Sequence, residues 1–322
     1  MTHPFDDNSI KHNTQTVAFY NCENLFDFRT NVHANHQYFS PTVLKNWTAK
    51  RYQDKIEKLG FSISKIGRKE TGKHPAIVGL CEVGSDSVLK DLITSKHLKH
   101  LNYKYIHNNS LDQRGIDVAL LYNANVFDVA TSKTFTIKLP HTDGLTNYTR
   151  DILLVSGVLD GESIHVIVNH WPSRREGEKE TEPKRIASSN KLGEIINILR
   201  LANDNSKIIL VGDFNDEPHN HSVKQLVNTF DFYNPMETLR TFSRGSTYYR
   251  RQWYLFDQIL ISNHFLKTSD EFFEYDTANI FDEDFLKVLD GKFKGTPFRT
   301  YIGKKYQGGY SDHFPVYIVF KR

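Results

Sequence analysis

The sequence predicts an α/β (α+β) fold in which packed, mainly antiparallel β-sheets carry helices. Three observations lead there. Short β-rich runs recur along the chain, separated by turns and helical stretches. Two of those runs, Asp151–Val158 and Ser163–Asn169, are joined only by the turn around Asp160-Gly161, which makes a hairpin and an antiparallel pair. Longer stretches place apolar residues at three-to-four spacing, the period of a helix with one buried face. Hairpins interspersed with helices argue for layered, packed sheets and against a purely parallel doubly wound sheet.

Taken in order, the runs read as strands are Thr16–Asn21, Ala76–Glu82, Tyr103–His107, Asp117–Tyr122, Asp151–Val158, Ser163–Asn169, Lys207–Asp213, Phe256–Ile261 and Pro315–Phe320. Between them, Thr48–Ile66 aligns Tyr52, Ile56, Leu59, Ile63 and Ile66 on one helical face. Asp86–Thr94 follows the same spacing, as does Glu182–Leu201 with Ile186, Leu192, Ile195, Ile196 and Leu199. No repeat of 20–50 residues is visible, which excludes a solenoid or propeller. The charged segments Arg174–Arg185 and Asp270–Lys294 are short, and no linker rich in Gly, Pro or Ser breaks the chain. The expected organisation is a polar N-terminal segment, residues 1–15, followed by one domain over 16–322.

Composition narrows the function classes. Of the 322 residues, 39% are hydrophobic and 25% charged, a globular balance that excludes a disordered chain. The longest apolar runs, such as Val118–Tyr122, are far shorter than the roughly 18 residues a membrane helix needs. The polar N-terminus has no apolar core, so the expectation is a protein without signal peptide or membrane span, in the cytoplasm and favouring a monomer. Only Cys22 and Cys81 are present, too few for a disulfide framework. The net charge of +3 permits a phosphate-bearing partner without demanding one, so any cationic site must be local.

The polar residues of interest cluster at strand ends. The first strand ends in Asn21-Cys22-Glu23-Asn24 and the second in Glu82. A later strand ends in Asn169-His170-Trp171-Pro172-Ser173-Arg174-Arg175, and the next in Gly212-Asp213-Phe214-Asn215-Asp216-Glu217-Pro218. Near the C-terminus stand Phe256-Asp257-Gln258 and Gly309-Tyr310-Ser311-Asp312-His313-Phe314-Pro315. Polar groups held at the ends of several strands are how a layered scaffold converges a site. Taken singly, each piece has an ordinary explanation: turn residues, a helix-capping acid at Glu82, a core histidine at 170, solvated arginines at 174 and 175. Independent turns would not supply all these residue types in this order.

The order and wording resemble the endonuclease/exonuclease/phosphatase superfamily, over essentially the whole chain from Phe19 to Val316. The pairing of Gly-Asp-Phe-Asn with Ser-Asp-His, about 100 residues apart, is the most specific part. The segments Tyr20–Asp27, Gln113–Tyr122, Asn169–Arg175, Gly212–Pro218 and Gly308–Val316 look like those of a bacterial subgroup, departing at Gln113, where that subgroup has Arg. The resemblance implies a four-layer sandwich of two packed, mainly antiparallel sheets with helices outside. It also implies hydrolysis of a phosphoester, foremost a nucleic-acid phosphodiester cut by a nuclease. A phosphodiesterase or phosphatase acting on a lipid headgroup, nucleotide or sugar phosphate is the alternative, and an inactive binding module is a third reading.

Cleaving such an ester needs charge neutralised on the phosphoryl oxygens, an in-line water and a protonated leaving oxygen. Asn21 and Glu82 offer hard oxygen ligands, with Asp312 as a further one, and such donors select Mg²⁺ or Mn²⁺. Glu23, two residues from Asn21, shares its face in an extended strand and reads as a supporting or second-metal residue. The same alternation aims Cys22 and Cys81 away from the metal. By resemblance, Asp213 orients or deprotonates the attacking water and Asn215 binds a phosphate oxygen. By the same resemblance His313 pairs with Asp257, as a cation against the phosphate or as general base, and His170 stands opposite as donor or acid. Asp117, in Arg114-Gly-Ile-Asp117, is a candidate partner for His170, or a turn acid. Arg114 is a candidate substrate contact, and Arg174 and Arg175, which follow His170 closely, are expected at the rim of the site. Arg250 and Arg251 fall in a strip, Tyr248–Tyr254, where aromatics alternate with cations, as does Arg299 in Phe298–Tyr306, and such strips can track a nucleic-acid backbone or be ordinary amphipathic strands.

Overall fold

In a computed structural model, residues 13–29, 47–112, 114–139, 147–267 and 271–322 are described. Gln113 and the N-terminal segment up to residue 12 lie outside them.

Twelve strands build two six-stranded sheets. In chain order they are β1 (Thr14–Leu25), β2 (Ile77–Val83), β3 (Tyr103–His107), β4 (Asp117–Asn123), β5 (Phe127–Phe135) and β6 (Ile152–Leu159). They continue as β7 (Glu162–His170), β8 (Ile208–Asp213), β9 (Phe232–Tyr233), β10 (Asp257–Ser262), β11 (Glu274–Ile280) and β12 (Val316–Lys321). The first sheet runs β11-β12-β1-β2-β4-β3 and the second β9-β10-β8-β7-β6-β5. Each is antiparallel except for one central parallel pair, β1 with β2 and β8 with β7. The nine strands read from sequence are all present.

Strand alternation sorts the side chains into layers. On β8, Ile209 and Val211 join the core shared with the first sheet, whereas Ile208 and Leu210 join a separate cluster with Leu192, Ile195 and Ile196 of the helix Glu178–Ala202. Gly79 on β2 marks how closely the sheets approach: a Cβ there would stand 2.5 Å from Val211. Tyr52, Ile56, Leu59 and Ile63 of the helix Ala49–Ile63 pack with the first sheet, as do Val88, Leu89 and Leu92 of Asp86–Ile93. The result is an α/β sandwich of two mixed sheets. Thr48 caps the first of these helices by accepting from the Arg51 N–H. The β6–β7 hairpin turns through Asp160 and Gly161, both at positive φ. Among the described residues, no helix is long and apolar enough to cross a membrane.

Candidate active site

The carboxyl ends of both parallel pairs open on one cleft of about 590 Å³. Register sets its central row. Asp213, the last residue of β8, pairs with His170 at the end of β7 on one side and with Asp257 at the start of β10 on the other. Residues opposite one another on neighbouring strands project to the same face, so the three polar side chains are delivered together. Asp257 is fully buried and its carboxylate accepts from His313 Nδ1 at 2.6 Å. The loop carrying His313 is pinned from two sides. Ser311 Oγ donates to the Asn21 carbonyl at 2.6 Å and accepts from the His313 N–H at 3.1 Å, while the Phe314 N–H donates to the Ser246 carbonyl at 2.6 Å. The Ser-Asp-His wording therefore ties the last strand segment to β1.

Asn215 follows the end of β8 in a left-handed conformation, φ 47°, with its N–H on Asp213 Oδ1 at 2.9 Å and its Nδ2 on the Trp171 carbonyl at 3.0 Å. Asparagine tolerates that region better than other L-residues.

The metal-binding candidates gather less uniformly. Asn21 lies beneath the cleft, 1% exposed, and its Nδ2 reaches Asp213 at 3.1 Å and Glu82 at 3.5 Å. Glu82 lines the cleft and accepts from the Asn24 N–H at 2.8 Å. Asp312, also on the wall, accepts from Arg299 at 2.7 Å. Glu23 departs from the strand-alternation expectation. A register shift between Asn21 and Leu25 puts Glu23 and Asn24 at positive φ, and the Glu23 carboxylate turns to accept from the Thr300 and Tyr301 N–H groups at 2.6 and 3.3 Å. Lys55 Nζ, buried on the helix Ala49–Ile63, stands 3.8 Å from it.

Cys81 also contradicts the expectation drawn for it. Its Sγ shares a cluster with His170 and Asp213 in which the donor atoms lie within 4.8 Å of one another. Cys81 is two residues from Gly79, so it lies on the face that packs against the second sheet, and that face leads under the cleft floor. Both thiols are free and buried. Burial raises both thiols, Cys22 to about 12.

The two histidines are held in opposite states. Burial pushes His313 down, but Asp257, Asp312 and Asp213 outweigh it and carry the imidazole well above its ordinary value. His170 is driven well below its own by burial and then by Arg150, Arg114, His313 and Arg175. Burial, then Asp257, raises the Asp213 carboxyl to about 7. Glu23 is likewise raised to about 7 by burial and Asp312, against the pull of Lys55.

The predicted substrate cations divide. Arg114 and Arg175 line the cleft. Arg174 lines it too, but its guanidinium is occupied: Nε donates to the Asn215 carbonyl at 2.7 Å, and the other nitrogens meet Asp216, Asn220 and Glu178 at 2.6–2.9 Å. It buttresses the Asn215 loop instead of offering a free phosphate fork. Arg250 and Arg251 form the exposed tip of the hairpin Thr247–Tyr249/Gln252–Tyr254, and neither lines the cleft, which that hairpin walls with Tyr248 and Tyr249. Asp117 is turned away from His170. Its carboxylate accepts from the Ser110 N–H at 2.9 Å and stands 3.4 Å from His107 Nε2.

A family model described as "Endonuclease/Exonuclease/phosphatase family" matches residues 16–322. The chain belongs to that family. Its members are phosphoester hydrolases. Among solved structures, this family member is similar to an endonuclease/exonuclease/phosphatase family protein from Bacteroides thetaiotaomicron (18% identity, 96% of this chain and 98% of that one, TM-score 0.61). It is also similar to a mannosyl-6-phosphatase from the same organism (18%, 95% and 99%, 0.58) and to truncated Caenorhabditis elegans TDP2 (15%, 96% and 98%, 0.59). A sequence search of curated proteins returned no match. At these identities the structural likeness speaks for the fold.

Several residues in and behind this family member's cleft had no place in the sequence-based expectation. Trp47 lines it with no motif to mark it, and Phe26 lines it from within the Tyr20–Asp27 segment. Lys55 had a signal: it falls between Tyr52 and Ile56 on the apolar stripe of its helix, and a cation on a buried stripe needs a buried partner. Arg150, 4% exposed and bonded to the Trp171 carbonyl at 2.7 Å, had none.

Proposed function

We propose that this protein is a divalent-metal-dependent phosphoester hydrolase whose substrate is a nucleic-acid phosphodiester. The observation that carries the hydrolytic reading is the row His170–Asp213–Asp257–His313, which strand register and the 2.6 Å contact of His313 Nδ1 with Asp257 bring to a single cleft, where the surroundings shift the two imidazoles in opposite directions. Environments that push like groups apart are how a site assigns acid and base roles at one pH.

The donors present fit a hard cation. Glu82 and Asp213 flank the Asn21 amide, with Asp312 on the wall, and burial beside Asp257 disfavours the ionised Asp213 carboxylate, a cost that a cation would relieve. Asn21, Glu82 and Asp312 would hold Mg²⁺ or Mn²⁺. The ion, when bound, supplies charge neutralisation on the phosphoryl oxygens. Asp213 orients the attacking water and takes its proton. His313, locked through Nδ1 by Asp257, offers its Nε2–H to the phosphoryl group as a cation. Neutral His170 hydrogen-bonds a phosphoryl oxygen from the opposite side, and the remaining Asn215 amide hydrogen binds another. Water attacks phosphorus as Asp213 takes its proton, the ester P–O bond breaks, and the leaving oxygen receives its proton from the cationic His313 Nε2–H. Glu23 shapes the Thr300–Tyr301 wall.

Support for the nucleic-acid substrate comes from the cleft walls, where Tyr248, Tyr249, Trp47 and Tyr301 stand among Arg114, Arg175 and Lys304. One observation favours a second reading, a small sugar or nucleotide phosphoester: Arg250 and Arg251 do not reach the cleft, so the cationic track beyond it is short. Turnover with Mg²⁺ or Mn²⁺ should be measured on plasmid DNA, single-stranded DNA, RNA, bis-p-nitrophenyl phosphate and sugar phosphates. We expect nucleic acid to be cleaved and excess chelator to stop the reaction. Full activity in chelator refutes the metal assignment, and turnover confined to sugar phosphates transfers the substrate assignment to the second reading.

A further inference from the structure

A smaller cavity of about 130 Å³ adjoins the cleft, and the two share Arg114, Ser173 and Arg175 in their walls. Its volume is about four times a water molecule's share of the liquid, enough for a phosphoryl group. Four cationic side chains, Arg114, Arg150, Arg175 and Lys184, line it against two acidic ones, Asp112 and Glu176. Arg150 is 4% exposed. Its Nη1 lies 3.2 Å from Asp112 and its Nη2 bonds the Trp171 carbonyl, but its Nε has no partner among the described residues. Among the same residues Thr149, 1% exposed and also in the wall, has no partner for its Oγ1, and Arg114 has none for its Nε. Arg175 is exposed and makes no hydrogen bond or ion pair among the described residues. Buried donors are normally satisfied, and three left open around one cationic cavity point to a missing acceptor. Lys184 pairs with Glu176 at 2.7 Å and Arg150 with Asp112 at 3.2 Å, so four cations against two acids leave a surplus of positive charge at Arg114 and Arg175. Burial and then the neighbouring guanidinium groups depress His170 and Arg114 in turn.

We propose that this cavity is a second anion subsite, which binds a further phosphoryl group of the substrate whose ester is cleaved in the adjoining cleft. The proposal rests on the phosphoester-hydrolase reading. The Trp171 carbonyl, which accepts from both Arg150 Nη2 and Asn215 Nδ2, links the subsite to the reaction centre. A second phosphate would orient the scissile one, because two anchored charges fix both position and rotation. Its source is either the neighbouring phosphodiester of a chain or the terminal phosphate of a small bisphosphate.

The test is calorimetric titration of the metal-free protein, in chelator, with thymidine 3′,5′-bisphosphate, each thymidine monophosphate, TpT and TpTpT. We expect the bisphosphate or TpTpT to bind roughly tenfold to a hundredfold tighter than its counterpart with one phosphate fewer, as charge-assisted hydrogen bonds would give. The advantage should be lost in Arg175→Ala, an exposed change, and in Thr149→Val, which keeps the side-chain volume. An advantage seen with TpTpT identifies a chain phosphate, and one confined to the bisphosphate identifies a small molecule. Equal affinities, no binding by any of them, or an advantage untouched by both variants overturns the proposal. The titration needs no turnover. A protein that shows the advantage but hydrolyses nothing with Mg²⁺ or Mn²⁺ refutes the hydrolase reading and keeps the subsite, while one that hydrolyses without the advantage loses the subsite alone.

Discussion

Asp213 stands in register between a histidine and an aspartate, and its chemistry follows from that placement. Burial and the neighbouring Asp257 raise its carboxyl to about 7, above its value in an unfolded chain. A group raised in the folded state contributes stability that is complete below the unfolded pKa and is lost as pH climbs through the folded one. Across about pH 4 to 7, Asp213 therefore becomes a growing liability in the metal-free protein. Asp213→Asn should raise its Tm at pH 8 by the equivalent of up to roughly 4 kcal/mol and leave Tm at pH 4 nearly unchanged. Differential scanning calorimetry at both pH values checks this, and a lower Tm at pH 8 would contradict it. The Asp257–His313 contact at 2.6 Å gives a second expectation. Each single removal should slow turnover by roughly 10²–10⁴, and the double change should cost far less than the product, because one group acts through the other. Asp257→Asn should also move the alkaline limb of kcat/KM toward neutral pH. Fully multiplicative losses and an unmoved limb would separate the two residues. Cys81, beneath His170 and Asp213, gives a third. Burial keeps its thiol protonated, so Cys81→Ala should leave kcat within a few fold, and a thousandfold loss in a folded variant would make the thiol a participant.

At the scale of elements, the site depends on departures from regular strand geometry. Glu23, Asn24 and Glu82 all have positive φ where β1 and β2 shift register, and these turns re-aim carboxylates that a straight strand would point elsewhere. The Arg250-Arg251 hairpin tip has φ of 47° and 65°, values at which Asn-Gly is the favoured pair. Two arginines in this conformation cost stability. Arg250→Asn with Arg251→Gly should raise stability by about 1–2 kcal/mol, read as an increase in Tm. An equal or lower Tm would mean that the loop is turned differently.

At the scale of the whole molecule, part of the cationic charge around the cleft is spent on the protein's own acids. Arg174 is bound to Asp216 and Glu178, and Arg299 to Asp312, whereas Arg175 and Lys304 make no bond among the described residues. About three cations, counting Arg114, remain for a substrate backbone at the cleft. Single-stranded contacts each contribute roughly −0.7 to the log–log salt slope. The affinity for a single-stranded oligonucleotide should therefore fall with a slope near −2, against almost none for bis-p-nitrophenyl phosphate. A slope of about −3.5 would require the two arginines of the hairpin tip as well, and no slope would favour the small-substrate reading.

Local pattern in the sequence determined the central strands, three of the helices though not His221–Thr229, and the polar residues at the strand ends, because burial periodicity and turn chemistry act over a few neighbours. The outermost strands β5 and β11 were not legible. Their residues, such as Thr131, Ser132 and Lys133, are mostly exposed or half-buried, as suits a sheet edge, and carry little apolar pattern. Only the tertiary structure decided where Glu23, Cys81 and Asp117 point and which arginines stay free. Each of those outcomes turns on register between distant segments: the bulge at Asn21–Leu25, the closeness of the sheets at Gly79, the meeting of Arg174 with Asp216. A one-residue change in register reverses the face a side chain occupies, and no spacing within a single segment records it.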